Sequence, residues 1–414
     1  MRCGDPAKML KEGKCMSLTL SRRCLNIAPS VTLGIDARAK ALIAAGENVI
    51  GLAAGEPDFD TPEYIRDAAK YALDHGMTRY TPASGTVKLR EAIAKKLKDE
   101  NGLLYSPAEI IVTNGAKHAL FGALAAIIDP GDEVLLPAPC WVSYPEMVQM
   151  NDGVSVMVPG REEDGFLVSA AQLAEYVTPR TKALILNSPN NPNGCVWPKE
   201  MLEDIAKLAV EKGFYVISDE IYEKLIYEGE HVSIASLSPE IKSQTIVVNG
   251  HSKAYAMTGW RIGYAAGPKN IIAAMGAHQS HATSNPNSVA QHAALAALAS
   301  GEEIIAAMAK EFDVRRKLMA SLINEIDGLS ALMPKGAFYT MLNISGAFGR
   351  ALPGGKKIET AEDFAEQLLD AVKVAVVPGT AFGAPNHARL SYATSQANIR
   401  EGMARIASFM GQLS

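Results

Sequence analysis

The sequence predicts an α/β protein in which helices cover both faces of a mostly parallel sheet, followed by a smaller α+β unit. Three observations predict this architecture. Short runs rich in Val, Ile and Leu alternate with longer helical patterns over residues 58–293. Each short run is almost continuously apolar, which is typical of strands buried on both faces. From residue 294 onward, long helices precede strand-like segments and a last helix near 396–411, as in a separate α+β unit.

The predicted elements of the large region follow one another in βαβ order, which favours parallel pairing. The strands are predicted over Ile110–Thr113, Glu133–Pro137, Val154–Val158, Lys182–Asn187, Phe214–Ser218 and Thr245–Val248. The helices between them are predicted over Lys117–Ile128, Trp141–Met150 and Pro198–Lys212, with Pro198 in the first helical turn. Beyond them we expect helices near 286–299 and 302–326 and strands in GAFYTML, VAVVPG and RLSYA.

Composition and charge exclude several classes of protein. The 414 residues include 40 Lys and Arg against 45 Asp and Glu, a net charge of −5, and 48% of residues are apolar. A nucleic-acid-binding scaffold would be strongly basic, and a disordered chain would be less apolar. No run of about 18 apolar residues predicts a membrane span. We therefore expect a soluble multi-domain protein with neither a nucleic-acid nor a membrane partner. Proteins of this class are most often enzymes.

The five cysteines favour a reducing compartment. They are odd in number, scattered and without metal-ligand spacing, which fits free thiols better than a disulfide framework or a metal site. The N-terminal segment is basic but no apolar segment follows it, so it does not predict a secretory signal. We therefore expect a flexible tail over residues 1–16 and a cytoplasmic location.

The segment NGHSKAYAMTGWRIG at 249–263 places a lysine just after a predicted strand. Lys253 leaves this buried strand in a turn of small residues, so burial is expected to lower its pKa and free its amine to form a Schiff base. Ser252 and Arg261 supply the hydroxyl and the cationic fork that bind a phosphate monoester. A single lysine and arginine are more often a surface loop with an ion pair, so this interpretation depends on the motifs that accompany them.

Two further polar motifs follow predicted strands. Asp219 and Tyr222 in YVISDEIYE lie at the carboxyl end of one strand, where ligands of parallel sheets collect. The Asp219 carboxylate could hold a pyridinium N–H and keep the ring an electron sink, or serve only as a helix cap or ion-pair partner. The segment SPNNPNG at 188–194 is either only a rigid turn or presents the Asn191 amide to a ligand oxygen.

The remaining candidate residues include an anion site at the start of a helix. In TNGAKHAL, a strand passes through Gly115 and Ala116 into a helix whose first N–H groups favour an anion, and Lys117 adds positive charge. The motif lacks the glycine spacing of a dinucleotide fold or a P-loop. Trp141 follows another strand and either stacks on a flat ring or fills the core. Arg389 enters an apolar strand, where it needs an anionic partner from the protein or a ligand.

Together these motifs resemble the class I and II aminotransferases of the pyridoxal-phosphate (PLP) fold type I superfamily, and most closely their bacterial-type aspartate/prephenate branch. The resemblance begins at LSRRCLNIAPSVT and continues, in the family's order, through AAGEPDFDTP, RYTPASG, LPAPCWVSYPEM, SPNNPNG, SDEIYE, SKAYAMTGWRIGYAAGP and RLSYATS. It implies a large PLP-binding domain over residues 58–293, with a mostly parallel, seven-stranded type of sheet. The small domain would combine residues 17–57 with residues 294–414.

The resemblance implies a role for each residue near the cofactor ring. Lys253 would form the Schiff base with PLP and shuttle the substrate proton. Asp219 would hold the pyridine nitrogen, while Asn191 and Tyr222 would donate to the phenolic oxygen. Trp141 would stack on the ring.

The resemblance also implies binding sites for the phosphate and the substrate. Gly55 and Arg389 would bind the substrate α-carboxylate, with Trp141 and Asn191 beside it. The phosphate would be bound by small, polar and cationic residues, one of them reaching in from the neighbouring subunit. These residues are Gly115, Ala116, Lys117, Ser252, Arg261 and, from the neighbour, Tyr80. The active site would therefore need a homodimer.

The predicted substrates are L-aspartate and a 2-oxo acid such as 2-oxoglutarate. Animal and enterobacterial aspartate enzymes bind the distal carboxylate with an arginine ahead of the 286–299 helix, but no arginine lies between Arg261 and Arg315 here. The bacterial branch suggests Lys117 with Arg22 or Arg23 instead. Those two arginines could equally form a solvated surface pair.

Other functions remain open on the same fold. An aromatic, alanine or prephenate aminotransferase, or a PLP carbon–sulfur lyase, would use the same cofactor residues. A PLP-binding transcription regulator is disfavoured because the motifs begin by residue 20, which leaves no room for a DNA-binding domain, and because the charge is acidic. A nicotinamide dehydrogenase is disfavoured by the missing glycine fingerprint.

Overall fold

The structure is a computed structural model that describes residues 19–29 and 31–414. The predicted tail over residues 1–16 lies outside these residues, and so do the side chains of Arg22 and Arg23. Within the described ranges, no helix combines the length and the apolar character needed to cross a membrane.

Strands and helices alternate along most of the described chain. The strands are β1 (Ile50–Gly51), β2 (Ile110–Thr113), β3 (Glu133–Ala138), β4 (Val154–Pro159), β5 (Thr181–Asn187), β6 (Tyr215–Asp219), β7 (Thr245–Gly250), β8 (Gly263–Ala266), β9 (Ser330–Ala331), β10 (Tyr339–Asn343), β11 (Val374–Ala375), β12 (Val377–Pro378) and β13 (His387–Ser391). The helices are α1 (Arg22–Leu25), α2 (Val31–Ala44), α3 (Glu63–Asp74), α4 (Val87–Asn101), α5 (Ala116–Ile127), α6 (Ser143–Met150), α7 (Ala170–Tyr176), α8 (Lys199–Lys212), α9 (Pro239–Lys242), α10 (Lys269–Ala282), α11 (Ser288–Ala299), α12 (Glu302–Asn324), α13 (Ala361–Val372) and α14 (Gln396–Gln412).

A seven-stranded sheet forms the centre of the protein, with the strand order β2-β8-β7-β6-β5-β3-β4. Every neighbouring pair is parallel except the two pairs that β8 makes with β2 and with β7. The predicted α/β class with a mostly parallel sheet of seven strands is confirmed.

Side chains that alternate along the central strands pack against helices on opposite faces of the sheet. Leu184 of β5 and Val216 of β6 share an apolar cluster with Leu202 of α8. The next residues, Ile185 and Ile217, belong to the cluster that contains α5 on the other face. Successive side chains of a strand point to opposite faces of the sheet, and here both faces are covered by apolar helices. The sequences of these strands are therefore continuously apolar.

Among the differences between the predicted elements and the structure, three concern a whole strand, the burial of a strand and the start of a helix. Strand β8 was not predicted, because three of its four residues, GYAA, are glycine or alanine, so it lacks the Val, Ile and Leu run that indicates the other central strands. Strand β4 is largely exposed rather than buried on both faces, because it lies at the sheet edge beside β3 alone. Pro198 is the N-cap of α8, which begins at Lys199, so it stands one position before the first turn.

A second unit combines the two ends of the chain. Strands β12, β13, β10 and β9 form an antiparallel sheet in that order. The predicted strand VAVVPG divides into β11 and β12, and β11 pairs in parallel with β1, so Ile50 lies beside Val374. The segment that follows β1, residues 52–61 (the 52–61 loop), runs from this unit to α3. The domain boundaries after residues 57 and 293 remain predictions.

Candidate active site

A cavity of about 470 Å³ lies at the carboxyl ends of β5, β6 and β7. Its walls come from the seven-stranded sheet, from the 52–61 loop and from β10 and β13 of the antiparallel sheet. Most of the residues singled out in the sequence line it. They are Gly55, Ala116, Lys117, Trp141, Asn191, Asp219, Tyr222, Ser252, Lys253, Arg261 and Arg389.

Two of the singled-out residues, Gly115 and Tyr80, do not line this cavity. Gly115 lies just behind it, where a Cβ atom would stand 2.5 Å from Nη2 of Arg261. Tyr80 is 91% exposed on the surface of the single chain. The side chain of Arg22 is outside the described residues.

The Lys253 amine projects into the cavity just beyond the end of β7. Its Nζ donates a hydrogen bond of 2.6 Å to the Gly55 carbonyl oxygen of the 52–61 loop. Burial lowers the pKa of Lys253 to about 8, with Glu56 opposing the shift and Arg261 adding to it. With this pKa, part of the Lys253 population is the neutral, nucleophilic amine near physiological pH.

The Asp219 carboxylate forms the floor of the cavity at the end of β6. It is buried, and Oδ2 accepts a hydrogen bond of 2.7 Å from the Tyr144 hydroxyl while Oδ1 accepts one from the Ile221 amide. Burial raises the pKa of Asp219 to about 6, and the Tyr144 hydrogen bond opposes that shift. A buried carboxylate of this kind gains from a cationic N–H partner.

The start of α5 and Arg261 together form a place for an anion. Gly115 is the N-cap of α5 with φ 86°, and no side chain caps the helix, so its first N–H groups face the cavity end. Arg261 adopts φ 53°, and its Nη1 donates to the Thr258 carbonyl oxygen at 2.8 Å. Buried Ser252 lies on the same wall. This donor set suits a phosphate group.

Among the described residues, Arg389 has neutral partners, which leaves a ligand as the source of the anionic partner that its strand position predicts. Its guanidinium donates to Oδ1 of Asn191 at 3.0 Å and to the Ala53 carbonyl oxygen at 2.9 Å. Its buried Nε has no hydrogen-bond partner among the described residues. A guanidinium that lacks a carboxylate among these residues can bind one from a ligand. Because Asn191 accepts through Oδ1, its NH₂ group remains a donor.

The cation at the cavity mouth belongs to Lys117. Its Nζ lies 4.7 Å from the centre of the Trp141 ring. Burial and the nearby charge of Arg261 lower the pKa of Lys117. The structure thus places a cation, in addition to Lys253, Arg261 and Arg389, beside the aromatic ring of Trp141.

Several lining residues were missed because their roles depend on contacts that are remote in sequence. Tyr144 holds Asp219, and the Tyr339 hydroxyl lies 3.1 Å from that of Tyr222. Asn187 joins the Asn191 turn to β6: its Oδ1 accepts from the Asn191 amide and its Nδ2 donates to the Asp219 carbonyl oxygen. The asparagine at the end of the apolar run KALILN was the available signal, since a buried amide needs partners.

Comparison with known proteins defines the family. The family model for aminotransferase class I and II matches residues 47–406. The chain belongs to the class I and II aminotransferases. Relatives in this family include the aspartate aminotransferase of Geobacillus stearothermophilus, 48% identical over 95% of this chain and 99% of the relative. The aspartate/prephenate aminotransferase of Thermus thermophilus is 49% identical over 95% of this chain and 99% of its own.

Solved structures of the family share the whole fold. The aspartate aminotransferase from Thermus thermophilus with maleate superposes with a TM-score of 0.90 at 47% identity, covering 94% of this chain and 99% of that chain. The aspartate aminotransferase from Rhizobium meliloti superposes with a TM-score of 0.93 at 43% identity, covering 96% and 100%. The resemblance found in the sequence motifs is therefore confirmed at the level of family and fold.

Proposed function

We propose that this protein is a PLP-dependent aminotransferase that moves the amino group between L-aspartate and a 2-oxo acid such as 2-oxoglutarate. One observation carries the proposal. A single cavity holds an amine with a lowered pKa (Lys253), a buried carboxylate (Asp219) and a buried guanidinium with an unpartnered Nε (Arg389). These are the groups needed to attach a carbonyl cofactor, to hold its ring nitrogen and to bind an amino acid's carboxylate.

The residues present fit PLP. The phosphate would lie at the N-terminus of α5, where Ser252 and Arg261 add donors and where the absence of a Cβ atom at Gly115 makes room for the Arg261 guanidinium. Asp219 would accept the ring N–H, and Trp141 offers an aromatic face beside the ring. The NH₂ of Asn191 and the hydroxyl of Tyr222 would donate to the phenolic oxygen, since burial raises the pKa of Tyr222 far above its ordinary value and keeps it a phenol.

The chemistry depends on proton movement by Lys253. PLP, when bound, supplies an electron-accepting ring that stabilises negative charge at the substrate Cα. Lys253 as a neutral amine takes the Cα proton and, as an ammonium, returns it to the C4′ carbon of the cofactor. Asp219, when ionised, would accept a hydrogen bond from the ring N–H and keep the ring nitrogen protonated. Arg389 and the Gly55 backbone orient the substrate by its α-carboxylate, which fixes the Cα–H bond relative to Lys253.

Aspartate is proposed as the amino donor because the cavity carries a cation besides Arg389. Lys117 lies beside Trp141 at the mouth, where it can bind a distal carboxylate. The named activities of the bacterial relatives support the same substrate. Prephenate is a second candidate acceptor, because a relative 49% identical to this chain is named an aspartate/prephenate aminotransferase.

A homodimer is proposed as the working form. Tyr80, expected to reach the phosphate of a neighbouring subunit, projects from the single chain with 91% of its surface exposed. Leu73 and Met77, close by in sequence, are also exposed apolar side chains. A second copy of the chain would cover such a surface.

A cytoplasmic location is part of the same proposal. The described cysteines, Cys24, Cys140 and Cys195, are all free thiols. Free thiols persist in a reducing compartment.

The visible spectrum tests the proposal. Purified protein supplied with PLP should show the absorbance of the lysine-bound cofactor, lose it on addition of aspartate and regain it with 2-oxoglutarate. Lys253→Ala should abolish the cycle. Absence of the band in the wild-type protein would contradict the PLP proposal.

A panel of amino acids separates the alternatives. A spectral change with alanine or phenylalanine but not with aspartate would identify another aminotransferase. Release of ammonia and a 2-oxo acid from a sulfur amino acid, without any acceptor, would identify a carbon–sulfur lyase.

A further inference from the structure

The 52–61 loop positions two groups of the cavity although it contains neither a helix nor a strand. The Gly55 carbonyl oxygen accepts from Lys253 Nζ at 2.6 Å. The Ala53 carbonyl oxygen accepts from Arg389 Nη2 at 2.9 Å. Because one short loop contacts both the lysine and the arginine, a shift of the loop would move both groups relative to each other.

Each end of the loop is fixed by hydrogen bonds. At its start, the Leu52 carbonyl oxygen accepts from the Ser391 amide of β13 at 2.7 Å. At its end, the Thr61 hydroxyl donates to the Ala256 carbonyl oxygen at 2.6 Å and accepts from the Trp260 indole. Between these ends, the Glu56 carboxylate accepts a hydrogen bond of 2.8 Å from the Thr258 hydroxyl, and the loop has one further anchor.

That anchor is an ion pair with α12. Asp58 Oδ1 lies 2.7 Å from Nη1 of Arg315, whose side chain is only 8% exposed. The guanidinium also lies over the ring of the next loop residue, Phe59, at 5.2 Å. Phe59 in turn packs edge-on against Phe312 of α12 at 5.3 Å. A charge pair and an aromatic contact thus fix the middle of the loop to one helix.

Arg315 is also held by a residue of its own helix, independently of Asp58. Nε of Arg315 is bound by Glu311 of the same helix at 2.9 Å, and Glu311 also accepts from Gln396 of α14. Glu311 therefore orients the guanidinium whether or not Asp58 is present. A guanidinium held in this way offers a fixed point to which the loop carboxylate can attach.

We propose that Asp58 and Arg315 are positioning residues for the substrate carboxylate. They hold the 52–61 loop so that Gly55 and the Ala53 carbonyl stand at the right distance from Lys253 and Arg389. This inference rests on the proposed function of the cavity. Substrate binding and PLP binding should respond differently to loss of the pair. The phosphate site at α5 lies outside the 52–61 loop, so loss of the pair weakens substrate binding much more than PLP binding.

Asp58→Ala, Asp58→Asn and Arg315→Lys test the proposal. Asp58→Asn leaves Arg315 paired with Glu311, so no buried cation loses all its partners and the fold is kept. Arg316→Lys is the matched control, because Arg316 is the next residue of α12, is itself buried, and forms ion pairs with the partly exposed Glu228 and Asp313, away from the loop.

Three quantities are measured for each protein. They are the dissociation constant of PLP, the dissociation constant of maleate (an unreactive dicarboxylate) with and without PLP, and amide hydrogen exchange across residues 52–61 without cofactor. We expect the maleate constant to rise about tenfold in the Asp58 and Arg315 variants, the PLP constant to stay within about twofold, and loop exchange to accelerate. Arg316→Lys should leave the maleate constant and loop exchange unchanged.

Two results would overturn the inference. One is an unchanged maleate constant in Asp58→Ala. The other is an equal loss of PLP and maleate binding in both Arg315→Lys and Arg316→Lys, which would show general destabilisation of α12. Failure of the wild-type protein to bind PLP would count against the proposed function alone, because loop exchange and maleate binding in the cofactor-free protein still report on the pair.

Discussion

The protonation state of Lys253 should control how fast the cofactor-free protein captures PLP. Burial lowers the pKa of this lysine to about 8; Glu56 is the first of the charges that oppose the shift, and Arg261 and Arg389 add to it. At pH 7 a pKa near 8 leaves roughly one lysine in ten as the amine, against roughly one in three thousand for an ordinary lysine. The capture rate should therefore rise about tenfold per pH unit below pH 8 and level off above it.

Glu56→Gln tests the electrostatic part of this reasoning. The amide oxygen of glutamine can still accept the hydrogen bond of 2.8 Å that the Thr258 hydroxyl donates to Glu56, so the loop contact is kept while the charge is removed. The pKa of Lys253 should then fall below 8. The capture rate constant at pH 7 should rise by at most about tenfold, the limit at which every lysine is an amine, and should match the wild-type value above about pH 9.

The assay is the absorbance change on mixing cofactor-free protein with PLP, followed between about pH 6 and pH 10. The ratio of the variant rate constant to the wild-type rate constant cancels the titration of PLP itself. Glu211→Gln, at an exposed position near the end of α8, is the charge-matched control and should give a ratio near one. A ratio at or below one at pH 7 for Glu56→Gln, or a wild-type inflection near the pH of an ordinary lysine, would refute the reasoning.

Three further substitutions probe the cavity. Lys117→Ala should raise the KM for aspartate by about tenfold or more and change the KM for phenylalanine less, because only aspartate has a distal carboxylate to lose its partner; equal losses in steady-state kinetics with both substrates would reject Lys117 as that partner. Gly115→Ala should weaken PLP binding, measured by equilibrium titration, because a Cβ atom at φ 86° would meet Arg261 at 2.5 Å; unchanged binding would place the phosphate elsewhere. Tyr144→Phe removes the 2.7 Å hydrogen bond to Asp219, which lowers the pKa of that carboxyl, so the substitution should raise this pKa further above its value of about 6. The raised pKa should appear in the pH dependence of the free energy of unfolding of the cofactor-free protein. In the wild-type protein, ionisation of Asp219 already lowers this free energy as pH rises from the unfolded-state pKa to the folded-state pKa, so in the variant the loss should continue to a higher pH. Identical pH profiles would contradict the assignment.

The sequence predicted those parts of the site that lie next to a strand end. Lys253, Asp219 and the Asn191 turn each follow an apolar run directly, and parallel strands bring their carboxyl ends together, so their convergence could be expected from the chain order. Tyr144 and Tyr339 could not be found in this way. Each lies within an otherwise ordinary helix or strand, and only tertiary packing turns their hydroxyl groups toward Asp219 and Tyr222.

The limits of the fold prediction have a similar origin. Strand β8 is short and has glycine or alanine at three of its four positions, so neither length nor hydrophobicity distinguishes it, and it is defined by the two strands between which it lies. The exposure of β4 depends on the order of strands in the sheet, which periodicity does not encode. The partners of Arg389 illustrate the same limit: the sequence indicated that a buried guanidinium needs partners, whereas only the fold shows that Asn191 and Ala53 supply them.

The pairing of β1 with β11 has a consequence for how the protein is made. Ile50 lies beside Val374, so the strand that leads into the Gly55 loop has no partner until nearly the whole chain has been synthesised. Domains generally fold as units during synthesis. The βαβ layers of the large sheet can therefore form during synthesis, while β1 is still unpaired. The substrate end of the cavity therefore cannot be completed before β11 has been synthesised. A chain truncated before β11 could retain a folded cofactor sheet and still lack the position of the loop on which amino-acid binding depends.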